Sequence, residues 1–227
     1  MSLPDFHRFP KIPRFHSPCT ITEKLDGTNA VIRVQDITSY VEHYGGPETI
    51  SGDCAETYLN GNAWNSLLAG SRKKWLAPGE DNHGFRAWVE QNAEHLTTLD
   101  PGTYHGEWWG KKINRGYGLD EKRFTPFGLA SGKPVEHDLF HPLPVLYEGR
   151  FFPEAAYECL LELQNEGSRA APGFKPAEGI VIHFNDTGAR FKLTLKALEE
   201  FSYSEHDGSN GSWYVSPKEF PQKGPKS

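Results

Sequence analysis

The chain reads as one mixed domain in which short strands outnumber helices. Three observations carry this reading. At 227 residues it has the length of one substantial domain, or one domain with a small appendage. Runs rich in β-branched residues recur between Gly, Pro, Asn and Asp turn signals, as in Ala30-Val31-Ile32-Arg33-Val34 and Gly179-Ile180-Val181-Ile182. Two stretches, around Phe85 and Tyr157, switch to helical spacing, and aromatics at 13% supply a real core.

In chain order, residues 1–18 contain four prolines and read as an extended arm over the surface. Cys19-Thr20-Ile21-Thr22 alternates as a strand does and Ala30 to Val34 is a second strand. Glu23-Lys24-Leu25-Asp26-Gly27-Thr28-Asn29 therefore falls on the turn between them. Over 36–61 the expectation is a strand at Tyr40-Val41-Glu42-His43-Tyr44, then a loop turning at Gly45-Gly46-Pro47. Trp64 to Leu76 reads as strands broken at Gly70-Ser71. Asp81-Asn82 caps a helix whose apolar side is Phe85, Trp88, Val89, Ala93 and Leu96. Pro101-Gly102 turns into a strand over 103–108, and Lys111 to Gly118 is a basic, glycine-bearing loop. A strand over 123–130 contains Pro126, which marks an edge or a bulge. A short strand over 143–147 leads to Pro153, which opens a helix over 154–165 with Tyr157, Leu160, Leu161 and Gln164 along one side. Closing strands over 179–184 and 190–195 flank the turn Asn185-Asp186-Thr187-Gly188. From Ser202 the composition shifts to Ser, Gly, Pro, Lys and Asn, the mark of a loosely ordered tail over 202–227.

Bulk properties exclude several classes. A formal net charge of −6 rules out a polycation clinging to nucleic acid, so any such contact must come from a local basic patch. Cys19, Cys54 and Cys159 are scattered, with neither metal-ligand spacing nor a disulfide framework, which points to a reducing, cytoplasmic setting. The N-terminal stretch lacks the apolar core of a signal peptide, and no apolar run is long enough to span a membrane.

The chemistry starts at Lys24. A lysine amine becomes a nucleophile once its charge is suppressed, and Gly27 lets the backbone come close to a ligand. On its own, Lys24-Leu25-Asp26-Gly27 reads as an exposed lysine before an ordinary Asp-Gly turn. Later stretches make the case. In Thr103-Tyr104-His105-Gly106-Glu107-Trp108-Trp109-Gly110, strand alternation puts Glu107 and His105 on one face, with His105 read as a packing residue. Glu178 is a lone carboxylate at the mouth of an apolar strand, which wants a cation or a donor. Over 191–196, alternation sends Phe191, Leu193 and Leu195 to one face and Lys192, Thr194 and Lys196 to the other. Lys111, Lys112 and Arg115, interleaved with Trp108, Trp109 and Tyr117, form a basic-aromatic loop suited to polyphosphate or an RNA strand. A solvated loop or strand face is the plain alternative for each basic group. His137 and His141 lack a third ligand for a metal site.

Glu23-Lys24-Leu25-Asp26-Gly27-Thr28-Asn29 resembles motif I of the covalent nucleotidyltransferases, the superfamily of ATP-dependent DNA ligases, RNA ligases and mRNA capping enzymes. It looks most like the RNA ligase 2-like branch, because Asn29 stands where DNA ligases usually carry arginine. Leu67 to Arg72 resembles motif Ia, Gly106-Glu107-Trp108-Trp109-Gly110 motif III, Phe124-Thr125-Pro126-Phe127 motif IIIa, Glu178-Gly179-Ile180-Val181 motif IV and Phe191 to Lys196 motif V. These occur in the family's order and span most of the chain. One departure is that the motif V lysines are four residues apart, not two, with Thr194 between them.

The resemblance implies an α+β nucleotidyltransferase domain (ATP-grasp-like, the DNA/RNA ligase catalytic type) of two antiparallel sheets flanked by helices, over residues 1–201. It implies ATP and Mg²⁺ or Mn²⁺ as cofactors and RNA ends, nicked or single-stranded, as partners, with a monomer expected. Lys24, Asp26, Lys192 and Lys196 are then catalytic. Glu23, Leu25, Gly27, Arg72, Glu107, Phe124 and Glu178 bind the nucleotide, with Phe124 stacking on the base and Phe127 as its alternate. Asn29, Lys111, Lys112 and Arg115 contact RNA, and Glu178 supports the metal. About thirty residues follow motif V, too few for a second folded domain of ordinary size. That argues against capping and DNA ligation, whose enzymes carry an appended barrel. A DNA nick ligase and a nucleotide- or RNA-binding module without turnover stand as alternatives.

Overall fold

The computed structural model describes residues 12, 14–44, 55–129 and 135–197. The turn at Gly45-Gly46-Pro47, the tail over 202–227 and most of the arm over 1–18 lie outside them. Among the described residues the chain forms nine strands and four helices. Two antiparallel sheets result. The four-stranded sheet has the order β7 (Val145–Arg150), β1 (Pro18–Lys24), β8 (Gly179–Phe184), β9 (Arg190–Thr194). The five-stranded sheet has the order β3 (Ala55–Asn60), β4 (Ala63–Ser71), β2 (Thr28–Asp36), β5 (Gly102–Gly110), β6 (Lys122–Leu129). The expectation of an α+β domain of two antiparallel sheets holds.

The turn between β1 and β2 is a crossing from one sheet to the other, not a hairpin. Each sheet buries one face. Ala30, Ile32, Val34, Tyr104, Trp108 and Phe124 form a core with helices α2 (Phe85–Gln91) and α3 (Ala93–Leu96). Cys19, Ile21, Ile180 and Ile182 form a second core with α4 (Pro153–Glu166). The opposite faces flank the cleft described below. No helix among the described residues is long and apolar enough to cross a membrane.

Pro126 behaves as its chemistry requires: β6 is a sheet edge, and its register with β5 shifts between Tyr104 and Gly106. The N-cap of α2 is Gly84, not Asp81 or Asn82; the Asp81 carboxylate braces the start from outside by accepting the N–H groups of Gly84 and Arg86, and the single helix expected through Leu96 breaks at Asn92 into α2 and α3. Four further expectations need correction. Tyr40-Val41-Glu42-His43-Tyr44 lies in a helix, α1 (Thr38–Tyr44), none of whose residues is buried. Its start is set locally, because the Asp36 carboxylate accepts the Thr38 N–H at 2.9 Å. The inner side of α4 is Ala156, Cys159, Leu160 and Leu163, while Gln164 is exposed. The short strand expected over 143–147 is β7, which runs on to Arg150. Finally, β9 stops at Thr194, whose Oγ1 accepts the Ala197 N–H at 3.2 Å and starts a helical turn.

Candidate active site

Alternation along β1 decides which groups of the first motif reach the cleft. Glu23 shares the face of Cys19 and Ile21, so it is buried with α4. Its Oε2 accepts the N–H groups of Arg169 (2.8 Å) and Ala170 (2.9 Å), and burial raises its pKa. Glu23 thus ties down the loop after α4 and does not face a nucleotide, contrary to expectation. Lys24 points the other way. Its Nζ donates to Glu178 Oε2 at 2.6 Å, with the side chains 22% and 15% exposed. Glu178 stands just before β8, and Gly179 there has φ 152°; a Cβ on it would meet the Leu193 carbonyl oxygen at 2.1 Å. Only glycine lets β9 pass this closely.

The third charged group comes from the facing sheet. Glu107 on β5 pairs with Asn29 on β2. Glu107 Oε1 accepts the Gly27 N–H at 3.1 Å, and Oε2 accepts from Asn29 Nδ2 at 3.0 Å. Burial, the largest influence, pushes the Glu107 carboxyl up to about 7, against the pull of the Gly27 N–H and the Lys24 charge. The Asn29 amide, expected on RNA, is engaged with Glu107 here and also edges the cavity described below.

The turn is locked from outside. The Asp26 N–H donates to the Tyr117 hydroxyl at 2.8 Å. The Asp26 carboxylate accepts from Arg115 Nε (2.8 Å) and Asn114 Nδ2 (2.9 Å), and Asn114 Nδ2 also reaches the Gly27 carbonyl at 2.7 Å. Arg115 is therefore an internal partner of Asp26 and not a free RNA contact; Lys111 and Lys112 on the same loop are exposed. Leu25 is buried against Trp109 and Tyr117. The close approach Gly27 permits is to β5, since a Cβ there would lie 2.4 Å from the Trp108 carbonyl oxygen.

Beyond Asn29 lies an open cavity of about 610 Å³ lined by Asn29, Arg33, Arg72, His105, Phe127 and Arg190, among others. Arg190 comes from β9 and the other five from the five-stranded sheet or its edge, so both sheets wall it. Arg72, expected near the nucleotide, lies on the wall of this cavity. His105, read as a packing residue, is exposed on the cavity wall. Phe124 requires correction: it pairs with Trp108 on the face away from Glu107 and is fully buried against Phe85, Trp88 and Phe140. Its alternate, Phe127, is 37% exposed and lines the cavity. Arg33 and Arg190 escaped the sequence reading, although each shares strand parity with a recognised residue, Asn29 and Lys192 respectively.

Register places Lys192 on the face of Lys24, through Val181 and Thr22. Lys196 does not follow by alternation. Thr194 ends the strand, and the Leu195 N–H donates to the Glu178 carbonyl at 3.0 Å as Leu195 enters the core, so Lys196 is exposed on the helical turn.

A model of the RNA ligase family matches residues 17–194. A comparison with curated proteins finds no match. Among solved structures the chain is similar to the apo mutant form of RNA ligase R4a of Naegleria gruberi, with a TM-score of 0.50 and 16% identity over 82% of this chain and 52% of that one. The chain thus spans about half the length of that structure, and at this identity the likeness speaks for the fold. The family match covers nearly all of the two sheets and every motif from Lys24 to Lys192, and on that ground the chain belongs to the RNA ligase family of nucleotidyltransferases.

Proposed function

We propose that the protein is an ATP-dependent RNA ligase that joins a 5′-phosphate to a 3′-hydroxyl through lysyl-AMP and adenylylated RNA. The carrying observation is the Lys24 amine held at 2.6 Å from Glu178 in a part-buried cleft, with Glu107 caged nearby. A free lysine has a pKa of about 10.4 and is inert as the ammonium. Lys24 must give up one proton, to the Glu178 carboxylate that already accepts from it or to solvent, and turn its freed lone pair to phosphorus. The Nζ–P bond to the α-phosphate of ATP then forms as the P–O bond to pyrophosphate breaks. The AMP passes to an RNA 5′-phosphate, and a 3′-hydroxyl displaces AMP and seals the strand.

Lys192, Arg72 and Arg190 supply positive charge along the cleft for the phosphates. Phe127 offers the ring for the base. Glu178 suits a hard divalent cation such as Mg²⁺ or Mn²⁺, which when bound would neutralise phosphate charge. Among the described residues no three His, Cys, Asp or Glu side chains gather. The same reading assigns residues 1–201 to the adenylyltransferase domain, 202–227 to a tail, and RNA contacts to Asn29, Lys111 and Lys112.

The test is incubation with ATP labelled at the α-phosphate. Acid-stable label is expected on the wild type and none on Lys24→Ala. Pre-adenylated nicks then separate the substrates: sealing is expected when the 3′-hydroxyl belongs to a ribonucleotide and not when it belongs to a deoxynucleotide. Equal sealing of both would promote a DNA ligase, and an unlabelled wild type would leave a binding module.

A further inference from the structure

We propose that Arg115 is a positioning residue that ties the turn after Lys24 to the segment leading into Glu178, beyond the end of the strand ladder that joins them. The inference rests on the ligase reading above. Beside the Lys24–Glu178 pair itself, Arg115 bonds to both stretches. Its Nε donates to Asp26 Oδ2 at 2.8 Å, two residues after the nucleophile. Its Nη1 donates to the carbonyls of Pro176 (3.2 Å) and Ala177 (3.5 Å), the residues leading into Glu178. A guanidinium is a rigid planar fork, so bonds from two of its nitrogens set the distance between their acceptors.

The fork stands on a firm base. Its loop joins β5 to β6 and is pinned on either side of Arg115 by Ile113 and Tyr117, 1% and 2% exposed. Turn bonds close it from Ile113 N–H to the Gly110 carbonyl (2.9 Å) and from Gly116 N–H to the Ile113 carbonyl (2.8 Å). Lys112, Asn114 and Tyr117 adopt left-handed backbone, φ 60°, 43° and 53°. Side chains other than glycine take this conformation at a cost that the surrounding contacts must offset. What the loop obtains in that shape is the aim of Asn114, Arg115 and the Tyr117 hydroxyl at one turn. The β1–β8 ladder ends at the pair Lys24 and Gly179, so it sets the spacing of the two strands there. Arg115 ties together the segments that leave the ladder, Asp26 on one side and Pro176 and Ala177 on the other, and the 2.6 Å contact of Lys24 with Glu178 lies between the ladder and this tie.

The experiment measures AMP attachment in single turnover with ATP alone, on the full chain, with melting temperature as the folding control. Arg115→Ala is expected to slow attachment on the order of 10²-fold, with KM for ATP nearly unchanged. Arg115→Lys is expected to restore little, because one amine cannot span Asp26 and the two carbonyls. An arginine that touches RNA predicts the opposite: normal attachment in Arg115→Ala, slow transfer of AMP to RNA, and good rescue by lysine. Either normal attachment or full rescue overturns the proposal.

A second arm needs no ATP. Acetylation of Lys24 by an N-hydroxysuccinimide ester, mapped by mass spectrometry, is expected to rise severalfold in Arg115→Ala, and likewise in Glu178→Gln, which removes the partner directly. Unchanged acetylation overturns the proposal. A wild type that takes no label from ATP would sink the ligase reading, and the acetylation arm would still decide the role of Arg115.

Discussion

Glu107 in the five-stranded sheet and Glu178 in the four-stranded sheet are the two carboxylates of the cleft, and their sheets hold them differently. Glu107 is caged by neutral donors, the Gly27 N–H and the Asn29 amide, and its burial favours the uncharged form, pushing it up to about 7. Glu178 meets a full positive charge, the Lys24 ammonium, at a part-exposed position. A neutral cage is a fixture: it orients the groups that make it and has nothing to exchange. An ion pair open to solvent is exchangeable, because another cation or a phosphate can take either partner. On the proposed reading, the exchangeable pair at the end of the four-stranded sheet is where chemistry takes place, and the five-stranded sheet supplies the fixed surround.

The contrast breaks most clearly at Glu178. Glu178→Gln keeps the side-chain shape and removes the charge. It is expected to slow AMP attachment on the order of 10³-fold, about 4 kcal/mol in activation free energy. Stability should move by no more than about 1 kcal/mol, since the pair is not fully buried. Single-turnover labelling and urea unfolding measure the two quantities. An equal loss of attachment in Glu107→Gln would abolish the division between exchangeable and fixed carboxylates.

The two faces of the five-stranded sheet are sharpened by its two candidate aromatics. Phe124→Ala opens a hole among Phe85, Trp88 and Phe140 and should cost about 3–4 kcal/mol of stability. Phe127→Ala should leave stability nearly unchanged and raise the ATP concentration needed for labelling, by an amount corresponding to about 1–3 kcal/mol of stacking. Reversed effects would return the base to Phe124.

What could be read in advance follows from which interactions are local. Lys24, Glu178 and the strands around them are written in short apolar-polar runs, and the structure joins them. Phe124 and Phe127 differ in strand parity, so the sequence shows that one faces the cleft. Only the pairing of Glu107 with Thr125 says which, and register between strands is a tertiary fact. The helix at Thr38–Tyr44 was hidden because Tyr40, Val41 and Tyr44 are residue types favoured in strands, while its helical start depends on Asp36. Thr194 likewise ends β9 by capping a turn, which removes Lys196 from the strand face. Arg115 was illegible for a different reason. A basic loop looks the same whether its arginine meets solvent or an aspartate 89 residues away.

The last test concerns the cage itself. Folding raises the Glu107 carboxyl from its ordinary value of 4.5 to about 7, so the folded state holds a proton that the unfolded chain has released. Its contribution to stability is fully present below about 4.5 and is lost as pH rises through about 7. Glu107→Gln cannot titrate. Its amide keeps the shape, and a flip of the Asn29 amide lets both bonds to the cage persist. The stability of the wild type relative to this variant should therefore fall between those two pH values, by about 3 kcal/mol, and stay flat above them. Glu23 is also raised by burial, but it is present in both proteins and cancels in the difference. Urea unfolding of both proteins across this range measures the slope. A flat difference would mean that Glu107 stays charged in the fold, and the two carboxylates of the cleft would then be held alike.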